Sequence, residues 1–274
     1  MVTKYTFKQI SFFGTALLLF MAAACKKDST SDIAALPVVE AYLLPGNKVE
    51  VKVSLQKALV DTNAYGLPIS GLTLTISDGT TAKTLTESKT GDYTLNDLTF
   101  IKSSGTYSLS FTYNNLKVTA TTKMPTKPAN IALSSDTLEI PISNFDGTDE
   151  IFVPVYATWS NPNSDYHVLV FKNQDSFKTL ISSRFNTDTV SSVELNTVQL
   201  AKYELAQNTF RYYGYYKVIL MRVNVEYINM LNSSTKSATN LTNAPTNVTN
   251  GLGIFTAMQA DTLARQLLVK EEDY

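Results

Sequence analysis

The chain has 274 residues and a net charge of −1, so it lacks the basic surface of a nucleic-acid-binding protein, and we expect no nucleic-acid partner. Apolar residues make up 44% of the sequence, which is enough for a hydrophobic core, whereas charged residues make up only 17%. The chain contains a single cysteine, which excludes a disulfide within it.

The first 24 residues have the features of an export signal. Lys4 and Lys8 make the start of the chain positive, and residues 10–24 form an almost uninterrupted apolar run. A membrane-spanning helix needs about 20 apolar residues, so this shorter run favours a signal peptide that is removed after export. The run ends in three alanines, whose small side chains fit the groove of a signal peptidase, and Cys25 follows them.

Cys25 is the predicted lipidation site. The small residues before it match a lipobox, although the usual Leu three positions before the cysteine is here Ala22. The thiol is expected to receive a diacylglyceryl group, and two or more acyl chains attach a protein stably to a membrane. The alternatives are an ordinary signal peptide that ends near a cysteine and a single N-terminal membrane helix. We expect a lipoprotein that folds outside the cytoplasm.

Residues 25–36 are predicted to be the lipidated cysteine and a polar tether. The 11 residues at 26–36 reach at most about 35–40 Å when fully extended. Lys26-Lys27-Asp28 is not a retention signal with Asp at the second position, which favours the outer membrane over the inner membrane. It also matches acid-rich surface-export signals poorly, so the periplasmic and surface faces of the outer membrane both stay open.

Residues 37–125 are predicted to form a first β-sandwich domain. Apolar and polar residues alternate with a period of two, which is the pattern of half-buried strands. The predicted strands lie at residues 49–55, 72–76, 107–113 and 116–120. Asn114-Asn115 predicts a hairpin turn between the last two strands. Two prolines within residues 124–128 stiffen the chain, so we place the domain boundary between residues 125 and 126.

Residues 126–274 are predicted to form a second β-rich domain. Trp159, a turn with Pro162 and two later Tyr-x-Val segments resemble the fibronectin type III pattern, in which the Trp and the later Tyr pack between the sheets. The later tyrosine is Tyr216, within a long strand predicted at residues 212–223.

Three further elements complete the second domain. A short helix is predicted at residues 225–231, and a final strand begins at residue 251 and runs towards residue 269. Residues 232–249 are polar and of low complexity, and a loop of this length inside a compact domain is usually functional or mobile. The predicted fold class is all-β, with two β-sandwich domains of immunoglobulin or fibronectin III type and a short helix in the second.

The residues that could carry chemistry do not form a recognised motif. His167 is the single histidine, and with Cys25 committed to lipid the two cannot build a zinc site. No Gly-x-Ser-x-Gly elbow accompanies His167, and the acidic residues 144–150 lack the spacing of a calcium loop. We expect no catalytic residue, cofactor or metal site. Carboxylates that the fold brings together leave an enzyme open as an alternative.

An aromatic and apolar set is predicted on the outer face of the strand at residues 212–223. Its members are Tyr213, Tyr215, Ile219 and Met221. Such a patch is either covered by other parts of the protein or used for binding. The predicted helix or the first domain could cover it, and the alternative is an interaction face for sugar or protein.

Several segments along the mature chain carry a family resemblance. They are residues 38–46, 69–79, 91–94 and 121–125, Trp159 with Asn161-Pro162, Glu226-Tyr227 before Leu231, and residues 250–255. In this order and spacing they resemble the Bacteroidetes lipoprotein family catalogued as domain of unknown function 4249. The resemblance implies an outer-membrane lipoprotein, often encoded beside a TonB-dependent transporter, with no established catalytic residues. The chain departs before Asn250, where members commonly carry an Asn-Pro-Phe-like segment.

These observations lead to an expected function without an identified ligand. We expect a non-enzymatic lipoprotein that is anchored in the outer membrane and helps a TonB-dependent transporter to capture or pass on its substrate. Anchoring a weak binder beside a transporter raises its effective concentration there. The alternatives are a surface adhesion or protein-interaction module and, less favoured, an envelope hydrolase.

Overall fold

The computed structural model describes residues 35–57, 66–141, 151–181, 191–234 and 245–272. These residues form eighteen strands and one helix, so the predicted all-β fold with a short helix is confirmed. The strands are β1 (Pro37–Leu43), β2 (Val49–Leu55), β3 (Thr75–Ser77), β4 (Ala82–Thr84), β5 (Thr86–Lys89), β6 (Asp92–Leu95), β7 (Thr106–Tyr113), β8 (Leu116–Lys123), β9 (Ala129–Leu133), β10 (Thr137–Ile140), β11 (Val155–Ser160), β12 (Tyr166–Asn173), β13 (Ser192–Val198), β14 (Lys202–Leu205), β15 (Gly214–Val223), β16 (Val248–Thr249), β17 (Leu252–Thr262) and β18 (Leu267–Glu271). The helix, α1 (Val225–Ser234), lies between β15 and β16.

The first sandwich packs two sheets around one hydrophobic core. One sheet has the order β17-β1-β2-β6-β5, and the other has the order β16-β8-β7-β3-β4. Alternate residues of β1 and β2 point into the core, as the period-two pattern predicts. The hairpin turn between β7 and β8 is also confirmed, because Asn114 and Asn115 have φ values of 47° and 62° and join the paired residues Tyr113 and Leu116.

The second sandwich encloses a separate core. Strands β10, β18, β15, β12 and β13 form one wall, and the small sheet β14-β11-β9 forms the other. Trp159 and Tyr216 are both buried in this core, as the fibronectin III resemblance predicts. The second core therefore uses the two aromatic residues that mark it in the sequence.

A single strand, β17, belongs to both sandwiches. Its first half pairs in parallel with β1, from Leu252 opposite Val38 to Ala257 opposite Leu43. Its second half pairs antiparallel with β15. One ten-stranded sheet therefore runs through both sandwiches. Phe255, from the range predicted for the second domain, fills the first core.

Two predicted strands differ from those observed. The strand predicted at residues 72–76 is shorter and begins later, as β3 at Thr75. The residues before it bond to a side chain instead of to a neighbouring strand, because the Tyr93 hydroxyl accepts from the Leu72 amide at 3.1 Å and donates to the Ile69 carbonyl at 2.8 Å. The final strand, predicted from residue 251 towards residue 269, is two strands, β17 and β18. Both pair with the same edge of β15, at different heights.

Helix α1 covers the outer face of the shared sheet where the sandwiches meet. Tyr227 and Ile228 pack on apolar residues of β12, β15 and β17 in a third cluster. Glu226, in the first turn, accepts hydrogen bonds from the hydroxyls of Thr122 and Thr256, at 3.2 and 3.1 Å. A carboxylate in the first turn also interacts favourably with the helix dipole. The helix therefore fastens β8 to β17.

Residues 124–128 are predicted from the sequence to be a stiff linker. In the structure this segment is hydrogen-bonded to side chains of β15 and β17, the two strands that pair where the sandwiches meet. Gln259 on β17 donates to the carbonyls of Pro125 and Ser103. Arg222 on β15 donates to the Thr126 hydroxyl. These bonds fix the chain as it passes from the first sandwich to the second.

Candidate functional site

The four residues of the predicted interaction face have different environments. Tyr215 is 49% exposed. Tyr213 is half-buried against the second core, and burial followed by the charge of Glu271 raises its pKa. Ile219 and Met221 are half-buried in the cluster beneath helix α1. The four residues therefore do not form one continuous exposed patch.

Helix α1 covers the part of that face nearest to the junction. The Tyr227 ring meets the Tyr42 ring edge-on at 6.0 Å between centroids, and its hydroxyl donates to a Glu194 carboxylate oxygen at 2.7 Å. Burial raises the pKa of Tyr227, so the phenol stays protonated and remains the donor. For Ile219 and Met221 the structure thus shows coverage by the helix, which was one of the two arrangements open from the sequence.

His167 is buried at the inner face of the second sandwich, directly opposite Arg222 on the neighbouring strand. Its Nδ1 lies 3.0 Å from the Asp165 carbonyl, and its Nε2 accepts from the Arg222 Nε at 3.3 Å. A ring with these partners is neutral and protonated on Nδ1. Burial, and then the positive charge of Arg222, lower the pKa of His167 to about 4. Both ring nitrogens of His167 have hydrogen-bond partners, and one of these partners is Arg222, which itself binds Thr126 where the two sandwiches meet.

Several residues considered in the sequence lie outside the described residues: Cys25, the acidic residues 144–150, and residues 235–244 of the polar loop. Within the described ranges, no group of three or more His, Cys, Asp or Glu side chains is placed to hold a metal ion. In the same part of the chain, no helix has the length and apolar character needed to cross a membrane.

A cavity of about 670 Å³ opens at the far end of the second sandwich. We call it the distal cavity. Its apolar walls are Ile140, Ile181, Ala206 and Phe210. Its polar lining is Gln207, Asn208 and Arg211. Mostly apolar walls with a few polar groups, at this volume, are typical of a small-molecule site.

The segment that follows β14 builds one side of the distal cavity. A tight turn, closed by the Thr209 amide and the Ala206 carbonyl at 3.0 Å, carries the chain from β14 to Phe210. The Phe210 ring is fixed between two aromatic rings, with centroids 5.2 Å from Phe171 and 4.7 Å from Tyr216. The cavity wall is thus continuous with the second core.

The opposite side of the cavity is joined to this segment by backbone hydrogen bonds. The Ile181 amide donates to the Arg211 carbonyl, and the Tyr213 amide donates to the Thr179 carbonyl, both at 2.9 Å. The third wall residue, Ile140, ends β10, whose neighbour β18 pairs with the start of β15. Three segments that are far apart in sequence therefore meet around the cavity.

A smaller cavity of about 340 Å³ adjoins the distal cavity, and the two share Asn208 and Arg211. Hydroxyl groups of Ser191, Ser192 and Thr209 line the smaller cavity. Two of the polar residues that line the distal cavity therefore also line a second, more polar space. A ligand can place an apolar part in one space and a polar part in the other.

The distal cavity and the start of the folded chain lie at opposite ends of the shared sheet. We call the end where β1 begins the proximal end and the end where β15 begins the distal end. From Leu252, which pairs with Val38, β17 advances ten residues to Thr262, which pairs with Ile219. Strand β15 then continues five residues to Gly214 in the same direction. At about 3.3 Å per residue this path is about 50 Å.

The three most exposed large apolar side chains of the described residues lie at the distal end. Ile151 and Val153, which are 87% and 75% exposed, lead into β11, whose first residue pairs with Leu205 beside the cavity. Phe177, which is 93% exposed, lies in the segment whose Asp175 carboxylate accepts from the Tyr215 amide at 3.3 Å. Exposed apolar groups of this size are frequent where a protein contacts a partner.

Sequence reasoning did not single out the cavity residues. Ile140 ends β10, whereas Phe210 and Ile181 lie in segments between strands, and no periodic pattern connects the three residues. The one available signal was the tyrosine cluster at residues 212–216, because the start of that strand borders the cavity.

The fold and the site together define an all-β protein of two sandwiches on one shared sheet, with a ligand-sized cavity at the distal end. The chain belongs to the family described as domain of unknown function DUF4249, whose family model matches residues 29–264. Comparison with curated proteins yields no match.

Solved structures that match contain β-rich modules. The crystal structure of the FN1–FN3 domains of chicken CNTN1 is 11% identical, with a TM-score of 0.28, over 69% of this chain and 60% of that one. The match thus spans less than two thirds of the CNTN1 chain. A chimeric titin Z1Z2 carrying an exogenous KLER peptide from decorin is 16% identical, with a TM-score of 0.22, over 87% of this chain and 98% of that one.

The depressed pKa of His167 predicts how stability depends on pH. Above the unfolded-state pKa of about 6.5, His167 is neutral in both states and its packing contributes fully to stability. As the pH falls from 6.5 to about 4, the unfolded chain takes up a proton before the folded protein does, and this contribution is lost. At about 1.4 kcal/mol per unit, the free energy of unfolding should fall by about 3 kcal/mol over this window. Urea unfolding at a series of pH values measures it.

The variant His167→Gln is the control for this assignment. His167 is the single histidine of the chain, so the slope of unfolding free energy between pH 6.5 and 5 should largely disappear in the variant. An unchanged slope in His167→Gln would show that another group is responsible.

Proposed function

We propose that this protein is a lipid-anchored, non-enzymatic binding component of the outer membrane that acts beside a TonB-dependent transporter. The observation that carries the proposal is the separation of two ends. The chain enters β1 at the proximal end, whereas the cavity and the three most exposed large apolar side chains of the described residues, Phe177, Ile151 and Val153, lie at the distal end. This arrangement suits a protein that is held at one end and binds at the other.

The sequence supports the anchor. An export signal ends in small residues immediately before Cys25, and a polar tether at residues 26–36 separates that cysteine from β1. A tether of this length reaches at most about 35–40 Å, which is shorter than the strand path of about 50 Å between the two ends of the folded part, so the protein stays close to its anchor. The binding end can then sample a membrane protein that lies beside the anchor.

The choice of partner rests on the family resemblance and on mass action. Lipoproteins of the resembling type are often encoded beside TonB-dependent transporters, so the proposed partner is such a transporter. Two molecules fastened to one membrane meet at a high effective concentration, which allows even a weak contact to be occupied. A cavity that binds its ligand weakly can therefore still raise the supply of that ligand at the transporter.

Surface adhesion is the second candidate function. Phe177, Ile151 and Val153 at the distal end are strongly exposed, and large exposed apolar side chains favour contact with another protein. An adhesin would use these side chains on a protein outside the cell, whereas the accessory component uses the same end on a membrane neighbour. The two functions differ in the partner that the distal end touches.

The anchor is tested by Cys25→Ser in cells fed an alkyne-tagged fatty acid. The variant should lose the acyl label and leave the membrane fraction, because a hydroxyl does not receive the diacylglyceryl group. Ser29→Ala, four residues further along the tether, is the matched control and should keep both. A Cys25→Ser protein that is labelled and fractionates like the unaltered protein would contradict the anchor.

The partner is tested by site-specific photo-cross-linking in intact cells. A photoreactive phenylalanine at Phe177 should cross-link to a TonB-dependent transporter, because that side chain is 93% exposed at the distal end. The control position is Leu116, which is 53% exposed in the β7–β8 hairpin; that hairpin lies at the proximal end, because the Lys117 carbonyl accepts from the Asn250 side chain just before β17 begins.

Each outcome of the cross-linking separates the two candidates. A transporter adduct from Phe177 and none from Leu116 supports the accessory function. Adducts from Phe177 only to extracellular proteins would support adhesion and contradict the transporter partnership.

A further inference from the structure

We propose that the distal cavity binds a small amphipathic carboxylate, with its apolar part against Phe210 and its carboxylate at Arg211. This inference rests on the proposed binding function and names the chemical class of the ligand. It depends on neither the anchor nor the identity of the partner protein.

The apolar part of the cavity is suited to a ring or a short branched chain. Ile140, Ile181 and Phe210 come from three segments and surround one space of about 670 Å³. Phe210 is itself buried, and its ring is held in place by Phe171 and Tyr216. A preformed apolar wall gains affinity from the burial of ligand surface without first ordering a side chain.

The polar part of the cavity is suited to an anion. Among the described residues that line the cavity, Arg211 is the one that carries a charge, and Gln207 and Asn208 add amide groups beside it. A guanidinium has five N–H donors in a planar fork that matches the two oxygens of a carboxylate. Arg211 also has an interaction within the protein, and the assignment does not require its guanidinium to be free of that contact, because a guanidinium has five donors.

The backbone of the anion-binding residue is fixed relative to the apolar wall. The Arg211 carbonyl accepts from the Ile181 amide at 2.9 Å, and the next residue, Tyr212, accepts from the Tyr216 hydroxyl at 2.8 Å. A ligand with its charge and its apolar group at a set separation is therefore preferred over one that carries only a charge or only a ring.

The test uses two probes of nearly the same shape, one anionic and one neutral: 6-trifluoromethyl-2-naphthoate and its primary amide. Their binding to the purified protein, in the form in which cells produce it, is followed by fluorine NMR, with a sample that lacks protein as the background. The unaltered protein should bind both probes, and it should bind the carboxylate at least about tenfold more tightly, since hydrogen bonds to charged groups contribute more than neutral ones.

Two substitutions separate the apolar and the charged contributions. Ala206→Trp, at an exposed position, fills the cavity and should abolish saturable binding of both probes. Arg211→Gln should weaken binding of the carboxylate probe about tenfold and change the affinity for the amide probe by less than about twofold. Arg265→Gln, an exposed arginine away from the cavity lining, is the matched control and should leave both affinities unchanged. Thermal unfolding of each variant verifies that it folds.

The outcomes decide the proposal independently of the transporter partnership. Unchanged binding in Ala206→Trp would place the probes elsewhere and overturn the site. An equal loss of affinity for both probes in Arg211→Gln would overturn the assignment of a carboxylate as the ligand. Probe binding that behaves as expected, in a protein that gives no transporter adduct in cells, would contradict the proposed partner and leave this ligand assignment standing.

Discussion

Both sandwiches depend on strand β17, which is part of each of them. Strand β17 completes the first sheet by its parallel pairing with β1 and continues antiparallel to β15 in the second. Its backbone cannot shift in one sandwich without breaking hydrogen bonds in the other. Gly253 shows how close the first contact is: it has a φ of 98°, and a Cβ there would lie 2.0 Å from the Val39 carbonyl oxygen. Only glycine allows this approach without displacing a strand.

The junction around β17 is stiffened by polar side chains of β12, β15 and β17 that hydrogen-bond to one another and to the segment between β8 and β9. Gln259 holds the carbonyl of Pro125, Arg222 holds Thr126, and His167 supports Arg222 from the neighbouring strand. Helix α1 closes the outer face through Glu226. Buried polar groups favour an arrangement in which all of their hydrogen bonds are made, so these contacts select one relative placement of the two cores. The proximal and distal ends are thereby kept apart.

Local patterns predicted what depends on neighbouring residues. The alternation of β2 and the asparagine turn of the β7–β8 hairpin follow from residues a few positions apart, and Trp159 and Tyr216 marked the second core. The pairing of Val38 with Leu252 joins residues that are far apart in sequence, so no local pattern of residues predicts it. For the same reason the sequence did not predict the distal cavity, whose walls come from the end of β10 and from two connecting segments that are far apart in sequence. The hydroxyl of Tyr93, which shortened β3, acts through a tertiary contact that propensity does not contain.

The functional account requires that the anchored end and the binding end stay separated by the shared sheet. The most direct measurement is a spin-label distance between Leu116→Cys at the proximal end and Ala206→Cys beside the cavity, in a Cys25→Ser background, so that the two introduced cysteines are the ones that carry labels. The account predicts one narrow distribution centred near the strand path of about 50 Å. A broad distribution, or one centred below about 30 Å, would contradict it, because the two sandwiches would then hinge or fold back on each other.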